Sequence, residues 1–307
     1  MLQVVVVGSV ALDSVQTPFG KVEDALGGSA TFFSLASSYF CNVGVVGVVG
    51  ADFPKAHEDM LHSRGIDLSG FQRTEGATFR WAGKYSYDLN VAETLDTQLN
   101  VFANFKPELP EHYRKAPFLF LANIHPELQF EVLNQVEKPR FVACDTMNFW
   151  IDGARPALLR VLERVDALLI NDSEARELAG EANIVRAAGR IHEMGPSVVV
   201  IKRGEYGALL STKDGFFFAP GFPIEDVRDP TGAGDSFAGG FMGYLAASDS
   251  VDHSVLRQGV VAGSVLASFC VEAFSTGRYD TLALSDIRTR AHEFGQLMHV
   301  PGDLRII

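Results

Sequence analysis

The feature that most limits how this chain can fold is a recurring alternation of two kinds of segment. Short apolar runs at residues 3–7, 43–49, 118–121, 141–144, 167–170 and 198–201 are separated by amphipathic stretches with helical spacing, among them 30–40, 127–136, 154–164 and 183–194. A strand that is apolar on both faces needs cover on both faces, and helices between successive strands supply it. The pattern predicts an α/β domain with a doubly wound, mostly parallel sheet and helices on both faces. Such sheets bind ligands beyond the carboxyl ends of their strands.

One region departs from the alternation. Residues 78–88 read Thr-Phe-Arg-Trp-Ala-Gly-Lys-Tyr-Ser-Tyr-Asp, which puts Phe79, Trp81, Tyr85 and Tyr87 on one face at period two. Residues 15–25, after the first strand, show no helical period, and the two segments are expected to pair as a small sheet outside the main one. We read a single domain over residues 1–300 with this small β lid, about residues 14–26 and 74–95, inserted in it. The aromatic face would cover a ligand or meet the lid of a second copy in a homodimer. Beyond Phe218 the chain reads as largely helical, at 233–247, 254–271 and 285–298.

Composition removes several functions. Hydrophobic residues at 47% and charged residues at 21% describe an ordinary globular core and exclude disordered, collagenous or coiled-coil chains. Lys+Arg of 26 against Asp+Glu of 38 leaves a net charge of −12, which repels nucleic acid and anionic membrane surfaces. An anionic substrate must then be met locally, by a few cations or backbone N–H groups. Cys41, Cys144 and Cys270 form no CxxC pair, so neither a disulfide framework nor a zinc site is indicated. With no basic leader and no apolar run near ~18 residues, the expectation is a cytoplasmic protein acting on a small molecule.

The strongest chemical signal is Asp229-Pro230-Thr231-Gly232-Ala233-Gly234-Asp235-Ser236-Phe237, continued by Ala238-Gly239-Gly240-Phe241. Two glycines allow a tight turn whose N–H groups point one way, and the following helix adds the positive end of its dipole. Asp235 falls in the first helical turn, where the dipole favours an ionised carboxylate. A carboxylate beside an anion hole makes chemical sense when it activates a nucleophile that attacks the anion. Helix capping explains an Asp there equally well. Three companions stand at strand ends: Asp13, Gly27-Gly28 before a helix, and Asn171-Asp172-Ser173-Glu174. Asn123 and His125, and Asp145 and Asn148, follow two further strands as candidates to line the same site.

These residues carry a resemblance. From residue 3 to about residue 290 the chain is similar to the ribokinase (PfkB) carbohydrate kinase family. The segment 229–241 resembles that family's most diagnostic signature, and Gly27-Gly28 through Gly50-Ala51-Asp52-Phe53 resembles its N-terminal one. Asn171-x-x-Glu174 resembles the family's magnesium and phosphate motif. Lys202-Arg203-Gly204 with Gly207 resembles its nucleotide-binding strand end.

The resemblance implies ATP and Mg²⁺, with Asp235 as general base and the N–H groups of Gly232, Ala233 and Gly234 stabilising the transferred γ-phosphoryl group. It assigns Mg²⁺, through water, to Glu174 and Asn171, and the nucleotide to Lys202, Gly204 and Thr231. Asp13 with Gly27 and Gly28 would hold acceptor hydroxyls, with Asn123 beside them. Asp229 and Thr231 resemble a K⁺ site found in part of the family. One departure concerns the acceptor: ribokinase-like members carry Asn where this chain has Phe32, so the substrate need not be ribose. The expected activity is phosphorylation of a sugar or polyol. The alternative is a nucleoside, with Phe32, Phe33 or Trp81 stacking on the base.

Other catalysts are excluded by missing motifs. The turn after the first strand reads Gly8-Ser9-Val10-Ala11-Leu12 rather than a dinucleotide fingerprint, and neither a P-loop nor the protein-kinase motifs occur.

Overall fold

The computed structural model describes residues 2–299. Its strands are β1 (Val4–Val7), β2 (Ala11–Thr17), β3 (Gly20–Gly27), β4 (Val43–Gly50), β5 (Asp67–Thr74), β6 (Arg80–Tyr85), β7 (Ala92–Gln98), β8 (Phe118–Leu121), β9 (Phe141–Cys144), β10 (Ala167–Asn171), β11 (Val198–Lys202), β12 (Ala208–Thr212) and β13 (Gly215–Ala219). Nine of them form one sheet in the order β13-β12-β11-β10-β9-β8-β1-β4-β5, parallel from β5 to β11. β12 and β13 close the edge as antiparallel additions.

Side-chain alternation divides the core. Val4 and Val6 of β1 join one apolar cluster while Val5 and Val7 join another on the opposite face, and all four are fully buried. The first cluster is capped by the helices Ser29–Ser37, Ala233–Ser248, His253–Cys270 and Leu284–Leu297. The second is capped by Pro126–Leu133, Arg155–Leu162, Asp172–Ala179 and Ile184–His192. The expected doubly wound sheet is therefore what forms. Strand order reverses between β1 and β8, which opens the crevice where such sheets hold ligands.

Small residues bring two helices unusually close at that crevice. A Cβ at Gly239 would lie 2.2 Å from the Phe33 carbonyl oxygen, so Ser29–Ser37 packs directly on the backbone of Ala233–Ser248. Phe33 then stacks on Phe120 of β8, with ring centroids 4.6 Å apart. Replacing Gly239 by Ala should destabilise the protein by about 1–3 kcal/mol, read as a lower urea midpoint, because the added methyl meets backbone rather than a movable side chain.

The remaining strands make a second sheet in the order β3-β2-β6-β7. The expected pairing occurs, β2 running parallel to β6 from Leu12 beside Arg80 to Gln16 beside Lys84. The expected segments 14–26 and 74–95 are shifted in detail: β5 keeps residues up to Thr74 in the main sheet, and β7 continues to Gln98. Asp52 fastens the base of this sheet, accepting from the N–H and hydroxyl of Thr78 and pairing with Arg80 at 2.8 Å.

The aromatic face is smaller than its spacing predicts. Phe79 precedes β6 and stacks on Phe102, and Tyr87 lies beyond the strand's end with 85% exposure. Trp81 and Tyr85 alone share the strand face, with the Trp81 ring lying over Gly83. Among the described residues no helix is long and apolar enough to cross a membrane.

Candidate active site

The turn that opens the helix Ala233–Ser248 is built as its glycines require. Gly232 caps the helix Ala233–Ser248 at φ +78°, in the left-handed region, and no side chain caps that helix. Its Cβ position lies 2.4 Å from the Phe32 ring, so conformation and space both demand glycine. The Ala233 N–H turns back to the Pro230 carbonyl at 3.2 Å. The first-turn N–H groups of this helix, that of Gly234 among them, are the donors that any helix start leaves without an intrahelical carbonyl.

Phe32 answers a question raised by the sequence. Its ring is 1% exposed beneath the turn, and Phe33 is fully buried against Phe120. Neither ring is available to stack on a base, which corrects that part of the nucleoside expectation. The position that departs from the family pattern is filled with core.

Asp235 stands in the first turn of the same helix, where burial pushes its carboxyl up to about 6 while Lys202 opposes the shift. Removal from water outweighs the opposing effects of Lys202 and of Asp235's own N–H, and a carboxyl at about 6 is still mostly ionised at neutral pH. Lys202, the last residue of β11, brings its ammonium to 3.0 Å from where a Cβ on Gly234 would stand. Two further buried carboxylates feel the same ammonium, Glu174 and Asp145, both raised by burial. Asp145 is 4% exposed, and its Oδ1 is buried with no hydrogen-bond partner. Asn148, offered with it by sequence, instead turns outward to Glu177 at 2.7 Å.

Asn171 and Glu174 form a reciprocal capping box at the start of the helix Asp172–Ala179. Asn171 Oδ1 accepts from the Glu174 N–H at 2.8 Å, and Glu174 Oε2 accepts from the Asn171 N–H at 3.1 Å. Through its Oδ1 and N–H, Asn171 therefore holds Glu174 in place. Asn171→Ala should lower stability by about 1 kcal/mol, checked by thermal melting.

Across the crevice, Asp13 lies where β2 and β3 lose register between Asp13 and Val15, a bulge that aims its side chain inward. Its carboxylate accepts the Gly28 N–H, and burial, reinforced by Asp229 and Asp235, pushes it up to about 7. Gly27 admits that carboxylate: a Cβ there would lie 1.9 Å from Asp13 Oδ2. Gly28, at φ +96°, crosses against the Ser9 carbonyl.

Other sequence candidates are taken up elsewhere. The Asn123 amide accepts from Trp150 Nε1 at 2.8 Å and donates to Met147 Sδ at 3.1 Å, while His125 caps the helix Pro126–Leu133. Asp229 accepts the Thr231 and Ser275 N–H groups, both at 2.9 Å, one on each oxygen. Gly204, at φ +55°, is touched by Asn90 from the loop between β6 and β7, so the second sheet also reaches the end of β11. Sequence reasoning missed Ser275, which belongs to no motif, and the contact of Tyr85 with Thr231.

Backbone donors at a helix start, a buried carboxylate beside them, and a lysine facing both are gathered at the carboxyl ends of parallel strands; the family that the chain matches is one of phosphotransferases with an alcohol group as acceptor. The profile described as pfkB family carbohydrate kinase matches residues 1–280, and the chain belongs to that family. It is 33% identical over 251 residues to the cytidine kinase of Thermococcus kodakarensis, covering 80% of this chain and 89% of that one. The fold matches the nucleoside kinase of Methanocaldococcus jannaschii with a TM-score of 0.76 at 21% identity, covering 95% and 99% of the two chains. It also matches the aminoimidazole riboside kinase of Salmonella enterica, solved with aminoimidazole riboside and an ATP analogue, with a TM-score of 0.74 at 18% identity over 94% and 99%.

Proposed function

We propose that the chain transfers the γ-phosphoryl group of ATP to a hydroxyl of a small sugar or polyol. The observation that carries this reading is the placement of Asp235 between two things it would serve. On one side are the Gly232–Gly234 turn and Lys202; on the other is Asp13, within electrostatic reach across the crevice. Asp13 holds the acceptor by its hydroxyls. Asp235 takes the proton from the reacting oxygen as that oxygen bonds to phosphorus. The turn's N–H groups and Lys202 balance the charge on the moving phosphoryl group, so little covalent chemistry is asked of the protein.

The residues present fit a divalent cation. Asp145, Glu174 and Asp235 set three carboxylates against one ammonium, and Asp145 Oδ1 is an unpartnered acceptor. Among the described residues no three such side chains are grouped closely enough to hold a metal directly; Mg²⁺ commonly keeps several of its waters when bound through one or two carboxylates. Bound there, Mg²⁺ would neutralise phosphate charge. Glu174→Gln should raise the Mg²⁺ concentration for half-maximal turnover about 10–100-fold. Direct titration of Mn²⁺ into the protein should show the same weakening. For K⁺, the support is the buried Asp229 carboxylate held beside Thr231 and Ser275; indifference of turnover to K⁺ against a large inert cation would remove it.

A nucleoside acceptor is favoured by two observations: the cytidine kinase relative, and Trp81, which lies in register beside Asp13 on β6. An ADP-release screen with ATP and Mg²⁺ over sugars, polyols and nucleosides separates the readings. A response confined to nucleosides would overturn the sugar reading, and none with any acceptor would overturn both.

A further inference from the structure

We infer that Tyr85 is a positioning residue that ties the second sheet to the anion-hole turn and orients the acceptor for Asp235. The inference rests on the reaction proposed above, and its evidence is local. β7, beside β6 in the sheet, is exposed along its whole length, yet Tyr85 at the end of β6 is 9% exposed. Its hydroxyl lies 3.3 Å from Thr231 Oγ1, which donates to it. Thr231 is itself held on its other sides, its N–H by Asp229 and its carbonyl by the Cys270 thiol at 3.5 Å. The residue that follows it is Gly232. One phenol therefore connects a strand of the second sheet to the turn that presents the helix N–H groups.

The phenol also faces the acceptor side. Asp13, Asp229 and Asp235 all act electrostatically on Tyr85, and among the described residues no carboxylate accepts its proton. A phenol carries its hydrogen at neutral pH and so can donate it. With Thr231 donating to the phenolic oxygen, the phenolic hydrogen is free for an oxygen placed between Asp13 and Asp235. That is where the proposed reaction needs the acceptor: one hydroxyl held by Asp13, the reacting one turned to Asp235. A donor from the second sheet fixes the rotation that a single anchor leaves open.

Tyr85→Phe keeps the ring and its burial while removing the hydroxyl. We expect kcat/KM for the acceptor to fall about 10–100-fold, with kcat falling too, and ATP affinity and melting temperature to stay close to wild type. ADP released per phosphorylated product should rise above one, because water competes for a badly oriented site. Thr231→Val should give the same loss, and the double variant should be no worse than either single one. Amide hydrogen exchange at residues 231–235, measured without substrate, should quicken in Tyr85→Phe. Wild-type kcat/KM and product ratio in Tyr85→Phe would overturn the positioning role, and unchanged exchange would overturn the link between sheet and turn. Inactivity of the wild-type protein on every acceptor would instead overturn the reaction, and the exchange experiment would still decide the link.

Discussion

Asp235→Asn is expected to lower turnover by about 10²–10⁴-fold, or about 3 to 5 kcal/mol of barrier, the usual contribution of a positioned general base. The substitution keeps size and removes the charge that accepts the hydroxyl proton. ATP affinity should hold, because the Gly232–Gly234 turn and Lys202 remain. In the parent protein kcat/KM should rise with pH through about 6, where the buried carboxyl ionises, and the variant should lack that limb.

Stability should move the other way. The folded-state value of about 6 lies above the ordinary carboxyl value of 3.8, so the native chain binds more protons between these limits. The favourable contribution of Asp235 is present below 3.8 and is lost as pH rises through about 6. At pH near 8 the Asn variant should then be more stable by up to about 3 kcal/mol, while near pH 3 the two should melt together. Near-normal turnover in the variant would show that Asp235 is no base. A lower melting temperature at pH 8 would show that its carboxylate is structural.

Asp13→Asn should produce the second large effect, a loss of about 10²-fold in kcat/KM for the acceptor. Hydrogen bonds to a charged group contribute about 1.5–3 kcal/mol, and an amide cannot accept from hydroxyls at both oxygens. Asp13 is pushed from 3.8 up to about 7, chiefly by burial, so the parent protein loses its stabilising contribution as pH rises through 7. The Asn variant should gain up to about 4 kcal/mol at pH 8. Because Asp235 and Asp229 contribute to that shift, the Asp13→Asn and Asp235→Asn gains should sum to less than their separate values. Unchanged acceptor KM would remove Asp13 from the acceptor site. Destabilisation at pH 8 would mean that its bond from Gly28 outweighs the cost of burying its charge. The expected trade of stability for activity at both positions is the pattern of a site holding charge out of water for chemistry.

Much of the fold was legible because its causes are local. The β-branched run at Val4–Val7 and the apolar strands after it state their own burial, and the helical spacing between them states the crossover. Glycines at 27, 28, 232 and 234 mark close approaches that a side chain would block, so the motif and its family could be read before any coordinates. What the sequence by itself determined is therefore the alternation, the parallel sheet and the turn at Gly232.

Only the tertiary structure decided which polar residues meet. Asp145 and Asn148 follow the same strand, yet one is buried among carboxylates and the other reaches Glu177 at 2.7 Å. Asn171 matches a phosphate motif and caps a helix; Phe32 sits at an acceptor position and packs under Gly232. Tyr85 is one aromatic of four at period two until the second sheet sets it on Thr231. The physical reason is that periodicity depends on neighbours in sequence. Convergence at the ends of β1, β9, β10 and β11 depends on strand order, and the desolvation that raises Asp13 and Asp235 sums atoms from segments hundreds of residues apart.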